Sequence, residues 1–308
     1  ILTKLIRPMD DVATPWLGLI VGMPVLGIYF WANNQTMVQK VLSARSVDEG
    51  RKGLMLNGFL TLATLLIIAI PGLIARGLFP GLERPDMVYP AMVINLIPKG
   101  LMAILLAALL SALISTLSAI LNSTSTLFTI DFYARFHKQA DSKKLVVAGK
   151  ITSLVIITIA AFWAPNIGRF DSLLKYYQEM LSYISPPIVA AFILGIFSKR
   201  VNGRGVFTGL VSGLAIAVMM LFFRDTLFGN LHFLLIVPFL FVTSLLIMIA
   251  ASRLAPAPAA DKLEETTFRK ADLAAEWKGM KTGGWAHSYL SWAIILLVAS
   301  AAIWIVFR

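Results

Sequence analysis

The chain has 308 residues, of which 58% are hydrophobic and only 14% charged, with a mean hydropathy of +0.81. A soluble domain carries about a quarter charged residues, so this composition excludes a water-soluble globule and indicates an integral membrane protein in a lipid bilayer. The net charge of +11 reads as basic residues held in cytoplasmic loops and not as a nucleic-acid footprint, and zero cysteine excludes disulfide and thiolate chemistry.

The chain opens on ILTKLIRPMDD, with neither a start methionine nor a signal-peptide pattern. That opening has the character of a loop running into a helix, and the expectation is the later part of a longer protein. Eight segments are apolar and long enough to span about 30 Å of hydrocarbon. They cover residues 15–33, 54–78, 99–130, 146–165, 174–197, 205–223, 231–252 and 288–307. Prolines at 71, 80, 85, 90 and 98 break the chain between the second and third spans, leaving 87–96 as a short surface helix. Basic residues concentrate in alternate loops, 40–52, 135–150, 199–204 and 253–281. These loops are therefore assigned to the inside, with both ends of the chain outside. The long loop 254–287 begins with the linker APAPAA and continues into a charged stretch. It reads as a solvated connector or a short helix on the cytoplasmic surface. Gly205, Gly209 and Gly213 form a small-xxx-small ladder suited to helix packing.

The third span is unusually polar. Ser111, Ser115, Ser118, Asn122, Ser125 and Thr129 recur at spacings of 4, 3, 4, 3 and 4, which places them on one helix face. No member is charged, so the helix can cross a bilayer while turning a polar seam inward. Two further clusters lie at membrane depth. The first span ends in IYFWANNQ, and the fifth opens with LLKYYQEMLSYISPP, carrying Gln178, Glu179 and the pair Pro186–Pro187. Polar groups at membrane depth are costly and mark sites or interhelical hydrogen bonds. Prolines within a span free carbonyls that can bind cations, and aromatic rings beside amides suit a sugar-like solute. Enzyme signatures are missing: the three histidines have no ligand-spaced partner, GLVSG at 209–213 lies within a span with no strand before it, and there is no phosphate loop. From the residues alone, the chain is a transporter or channel for a polar solute and not an enzyme.

The segments YFWANNQTMVQKVLSAR (29–45), IPGLIARGLFP (70–80), LLAALLSALISTLSAILNSTSTLFTIDFY (105–133) and SPPIVAAFILGIFSKRVNGRGVFTGLVSGL (185–214) resemble the sodium/solute symporter family, most closely its sodium/glucose cotransporter branch. The resemblance implies an all-α, LeuT-type fold of two inverted five-helix repeats. Residues 1–197 then hold core helices six to ten, 198–253 two peripheral helices, 254–287 a cytoplasmic loop and 288–308 a final helix. A missing N-terminal half would carry core helices one to five and the rest of both sites.

The family's sodium site takes a backbone carbonyl and two hydroxyls from core helix eight, which by alignment fall on the Ala112 carbonyl and the hydroxyls of Ser115 and Thr116. Positions i, i+3 and i+4 share a helix face, and hard cations prefer such neutral oxygens. Gln178 coincides with the family's sugar-contacting glutamine. Phe30 falls where sugar transporters place a stacking inner-gate tyrosine, and Trp31 matches its neighbour. Gly27 replaces a polar sugar contact, and Thr61 replaces a sugar-contacting lysine. The resemblance implies a multi-pass plasma-membrane symporter (inner-membrane in a bacterium) that couples sodium entry to import of a small polar solute, a monosaccharide first. A sugar acid such as sialic acid, inositol or an amino acid stays open as solute. A symporter-like sensor module and a passive channel are the competing classes.

Overall fold

The computed structural model describes residues 8–9, 11, 15–170, 172–229, 231–259, 261, 263, 266–282 and 288–306. Among them the chain is helical throughout. In order the helices are α1 (Gly18–Asn33), α2 (Gln35–Leu42), α3 (Val47–Leu78), α4 (Val88–Leu96), α5 (Lys99–Phe136), α6 (Ser142–Trp163), α7 (Leu173–Phe197), α8 (Gly203–Phe228), α9 (Phe233–Arg253), α10 (Lys270–Thr282) and α11 (Tyr289–Val306). Backbone groups in a bilayer must be satisfied within the chain, which is why the long apolar runs fold as helices.

Seven helices reach membrane-spanning length and hydropathy: α3, α5, α6, α7, α8 from Gly203 to Phe223, α9 and α11. The first expected span is shorter than a full crossing, ending where Asn34 turns to extended backbone and its side chain accepts the Thr36 N–H at 3.0 Å. That capping bond starts α2 instead of continuing α1. Within α1, Gly18–Gly22 and Tyr29–Asn33 are π-helical, closed for example by the Asn34 N–H on the Tyr29 carbonyl. The short helix expected at 87–96 forms as α4, and Pro98 caps α5.

The chain forms two compact units, residues 1–64 with 177–308 and residues 65–176. In the first, α1, α7 and α9 share a core of Val25, Leu26, Val189, Phe233, Leu234 and Val237. A second cluster joins α7, α8 and α9 through Tyr183, Ala217, Met220, Ile236 and Leu240. Glycines let these helices approach. A methyl at Gly205 would meet the Ser252 backbone nitrogen at 2.7 Å and the Met248 carbonyl at 2.8 Å. One at Gly209 would strike the Met248 side chain, and one at Gly213 would meet Ser244 Oγ at 2.5 Å and Pro187 Cβ at 2.9 Å. The expected small-residue ladder is thus a packing surface, turned towards α9 and the proline pair of α7. Gly18 and Gly22 do the same for α1, against Leu234.

Residues 254–282 are more firmly attached than a solvated connector. The Phe268 N–H donates to the Ile196 carbonyl at 2.9 Å, and the Phe197 and Phe268 rings meet at 5.6 Å. Asn202 Nδ2 donates to the carbonyls of Ser252, Ala255 and Pro256 at 2.9–3.3 Å. In α10, Glu276 accepts a hydrogen bond from Arg51 of α3, whose guanidinium also lies 4.8 Å from the centre of the Tyr289 ring.

In the second unit α5 and α6 pack as an antiparallel pair joined by a short turn. At the far end, Arg84 donates to the Phe170 carbonyl at 3.0 Å, Asp86 accepts the Leu173 N–H at 3.0 Å, and Trp163 Nε1 donates to the Tyr176 hydroxyl at 2.7 Å.

The glycine contacts carry a direct test. Gly205→Val in the full chain should lower the apparent melting temperature in detergent, since overpacking costs about 1–3 kcal/mol. Gly195→Ala, where an added methyl meets nothing within 4 Å, should leave it unchanged or raise it. Equal behaviour of the two variants would contradict the close approach of α8 and α9.

Candidate functional site

The polar seam of α5 divides into two parts. Ala112, Ser115 and Thr116 lie in regular α-helix and are exposed. The spacing expected from the sequence is therefore realised, with the Ala112 carbonyl and both side chains on adjoining positions of one turn. The hydroxyls of this turn behave as do those of Ser111, Ser118 and Thr126 on the same helix, which make no hydrogen bond among the described residues. Thr61, Thr64, Thr124, Thr152, Thr158 and Thr208 each donate to the carbonyl four residues earlier, at 2.7–2.9 Å. That back-bond is the ordinary refuge of a threonine hydroxyl in a span. Among the described residues, neither Ser115 nor Thr116 makes it. Two neutral oxygens and the carbonyl of Ala112 are left side by side, a donor set suited to a hard monovalent cation and unsuited to a transition metal.

Further along, the seam turns inward. Ser123, Ser125 and Thr129 are buried, and Ser125 Oγ donates to the Asn122 carbonyl at 3.1 Å. Ser118, Asn122, Ser125 and Thr129 line one wall of a groove of about 650 Å³, and Gly149, Lys150 and Ser153 of α6 line the other. A methyl at Gly149 would sit 3.5 Å from Thr129 Oγ1, so the glycine makes room for the hydroxyl. The α-helical repeat ends just above this point, because Phe128–Tyr133 is π-helical. π-Turns of this kind concentrate at functional sites. No periodicity in the sequence distinguishes such a turn from a continuing α-helix.

Gln178, Phe30, Trp31, Gly27 and Thr61 all belong to the first unit. Tyr29 at the end of α1 and Leu181 of α7, one turn after Gln178, both pack against the same core cluster. Gln178 is partly buried, and its carbonyl accepts Ser182 Oγ at 2.7 Å, pinning the turn that leads to the buried Pro186–Pro187 pair. Phe30 is partly buried and meets Trp31 edge to face, with centroids 5.1 Å apart at 86°. Gly27, one turn before Trp31, has nothing within 4 Å of an added methyl. Space is therefore free beside Gly27.

Trp31 itself lines a cleft of about 270 Å³ with Met37 and Lys40 of α2 and Glu49, Gly53 and Asn57 of α3. The Asn57 carbonyl is the acceptor of the Thr61 hydroxyl, at 2.8 Å. Of the expected solute residues Gln178, Phe30, Trp31, Gly27 and Thr61, Trp31 lines this cleft, and Thr61 sits one turn beyond its Asn57 wall. Thr61 is exposed and its hydroxyl is committed to its own helix. Glu49 and Asn57 lie outside the segments whose resemblance was read from the sequence, so nothing there singled them out.

This is an all-α, multi-pass membrane protein with an oxygen-rich turn in one span, aromatic rings at the end of α1 and an amide at the start of α7. The model of the sodium:solute symporter family matches residues 3–213, and the chain belongs to that family. Among curated relatives, sheep sodium/glucose cotransporter 1 is 33% identical over 271 residues, covering 77% of this chain and 41% of its own length. Human sodium/glucose cotransporter 4 is 36% identical over 224 residues, 67% of this chain and 33% of its own. Bovine sodium/myo-inositol cotransporter is 31% identical over 298 residues, 86% of this chain and 42% of its own. The chain therefore spans less than half the length of these relatives.

The open space at Gly27 yields a second test. Gly27→Ala should keep or slightly raise the melting temperature of the purified protein, since alanine exceeds glycine by about 1 kcal/mol in helix propensity. A fall in the melting temperature would mean that the position is packed.

Proposed function

We propose that the protein to which this chain belongs is a sodium-coupled secondary symporter of the plasma membrane, importing a small polyhydroxylated solute by alternating access. The observation that carries this reading is the Ala112–Ser115–Thr116 turn, where a carbonyl and two hydroxyls that make no hydrogen bond among the described residues occupy adjoining positions of one helix. Sodium is a co-substrate here. Its hydration shell is replaced in part by the Ala112 carbonyl and the Ser115 and Thr116 hydroxyls. Residues 1–197 are read as core helices six to ten of a LeuT-type repeat fold, 198–253 as two peripheral helices, 254–287 as a cytoplasmic loop and 288–308 as a final span.

Coupling requires that sodium and solute each prefer one conformation over another, so that neither alone completes the cycle. Gln178 bonds solute hydroxyls through its amide, and Phe30 offers an apolar ring face to the solute ring. Trp31 borders the same end of α1, and Gly27 and Thr61 shape the cavity by what they lack, a polar side chain and a cation. Monosaccharides are the favoured solutes. A cyclic polyol of inositol type is the second reading, supported by the free space at Gly27 and by similarity to the bovine inositol cotransporter over 86% of the chain.

Reconstitution of the complete protein in liposomes tests this directly. A panel of radiolabelled sugars and polyols should include one that accumulates only under an inward sodium gradient. Absence of gradient-driven accumulation for every solute in the panel would overturn the symporter reading, and equilibration without accumulation would indicate a passive channel. Thr116→Ala should raise the sodium concentration for half-maximal uptake by about tenfold or more, since a bond to a charged partner is worth about 1.5–3 kcal/mol. An unchanged value would remove Thr116 from the ion site. Gln178→Ala should weaken solute affinity while leaving sodium affinity within about twofold, because a lost hydrogen bond of about 1 kcal/mol acts on the solute alone. Equal loss of both would point to misfolding.

A further inference from the structure

The turn between α5 and α6 gathers positive charge that forms no ion pair among the described residues. Between residues 131 and 144 stand four basic side chains, Arg135, Lys138, Lys143 and Lys144, against the two carboxylates of Asp131 and Asp141. Asp141 is engaged as the cap of α6, its carboxylate accepting the Lys144 N–H at 2.9 Å. Among the described residues none of the four basic groups forms an ion pair. This is also a built surface: the His137 N–H donates to the Tyr133 carbonyl at 2.9 Å, the two rings stack at 4.4 Å and 14°, and the Ala140 N–H donates to the His137 carbonyl at 2.9 Å. The result is a concavity of about 610 Å³ whose polar lining includes Tyr133, His137, Lys138, Gln139 and Lys144.

An apolar strip leads into it. Phe128, Phe132 and Phe136 follow one another at spacings of four, are 46%, 58% and 78% exposed, and the first two rings stack at 5.8 Å. A strip of bare phenyl rings running from a membrane span to a cationic hollow matches a molecule that is apolar at one end and anionic at the other. Free phosphate or a soluble sugar phosphate would use the hollow and leave the strip unexplained. The charge bias of the loops assigns this turn to the cytoplasmic face, where anionic lipid is available.

We propose that the α5–α6 turn is a binding site for an anionic phospholipid, with the headgroup phosphate held by Lys138 and Lys144 and one acyl chain lying along Phe128, Phe132 and Phe136. Arg135 and Lys143 add field without lining the hollow. The site is separate from the solute and ion residues, so the proposal stands whether or not the symporter reading holds.

Native mass spectrometry of the full-length protein in detergent, titrated with phosphatidylglycerol or phosphatidylcholine of equal chain length, tests it. The wild type should retain phosphatidylglycerol in preference to phosphatidylcholine. The double variant Lys138→Gln/Lys144→Gln should lose about 30-fold in apparent affinity for phosphatidylglycerol, each basic group near an anionic lipid being worth about fivefold. Its melting temperature in lipid-free detergent should match the wild type, because neither side chain makes an internal bond. Phe132→Ser should weaken lipid retention without changing the effect of inorganic phosphate. Equal retention of the two lipids, an unchanged double variant, or full displacement of the lipid by millimolar inorganic phosphate would each overturn the proposal.

Discussion

A hydroxyl inside a membrane span has few places to go, and that constraint organises this protein. Water is absent and the backbone ladder is already closed, so a threonine side chain ordinarily returns to the carbonyl of its own preceding turn. Thr61, Thr64, Thr124, Thr152 and Thr158 all do so. Ser115 and Thr116 do not, and they sit on the same turn as the Ala112 carbonyl. Leaving two hydroxyls open in such a setting is unfavourable unless a ligand of suitable chemistry completes them. A hard cation that accepts neutral oxygen donors fits that need, and the family to which the chain belongs is defined by sodium.

Within the first unit the helices associate through close backbone approach, since lipid gives no hydrophobic drive for one helix to join another. Gly205, Gly209 and Gly213 bring α8 onto α9, while Gly18 and Gly22 bring α1 onto the start of α9 at Leu234. The Pro186–Pro187 pair sits fully buried against this packing, near Gly213. Rigid contact there fixes the register of α7, and with it the position of Gln178 two turns earlier. At the other end of α1 the π-helical stretch carries Phe30 and Trp31.

Hydropathy alone located seven of the spanning helices, because apolar length is a direct physical requirement of the bilayer. The glycine ladder of α8 was equally legible, since a period of four small residues has one geometric meaning. The matching pair Gly18 and Gly22 has the same spacing, yet the aromatic and amide residues that follow dominate the signal of that segment. The π-helical turns at Tyr29–Asn33 and Phe128–Tyr133 left no trace in the sequence, since α- and π-helices draw on the same residue preferences. Docking of residues 254–282 was also hidden. Its anchors, Phe268 on Ile196 and Glu276 on Arg51, join positions far apart in the chain, and only the folded arrangement brings them together. For the candidate ion turn, spacing supplied the shared face and family resemblance supplied the ion. What the sequence withheld was the state of the hydroxyls, because back-bonding is a choice of side-chain rotamer.

Equilibrium binding of radioactive sodium to the purified full-length protein, without solute or gradient, addresses the central claim most directly. The wild type should bind sodium saturably, Thr124→Ala should bind as the wild type does, and the double variant Ser115→Ala/Thr116→Ala should lose saturable binding while retaining its melting temperature. Undiminished sodium binding by the folded double variant would contradict the account.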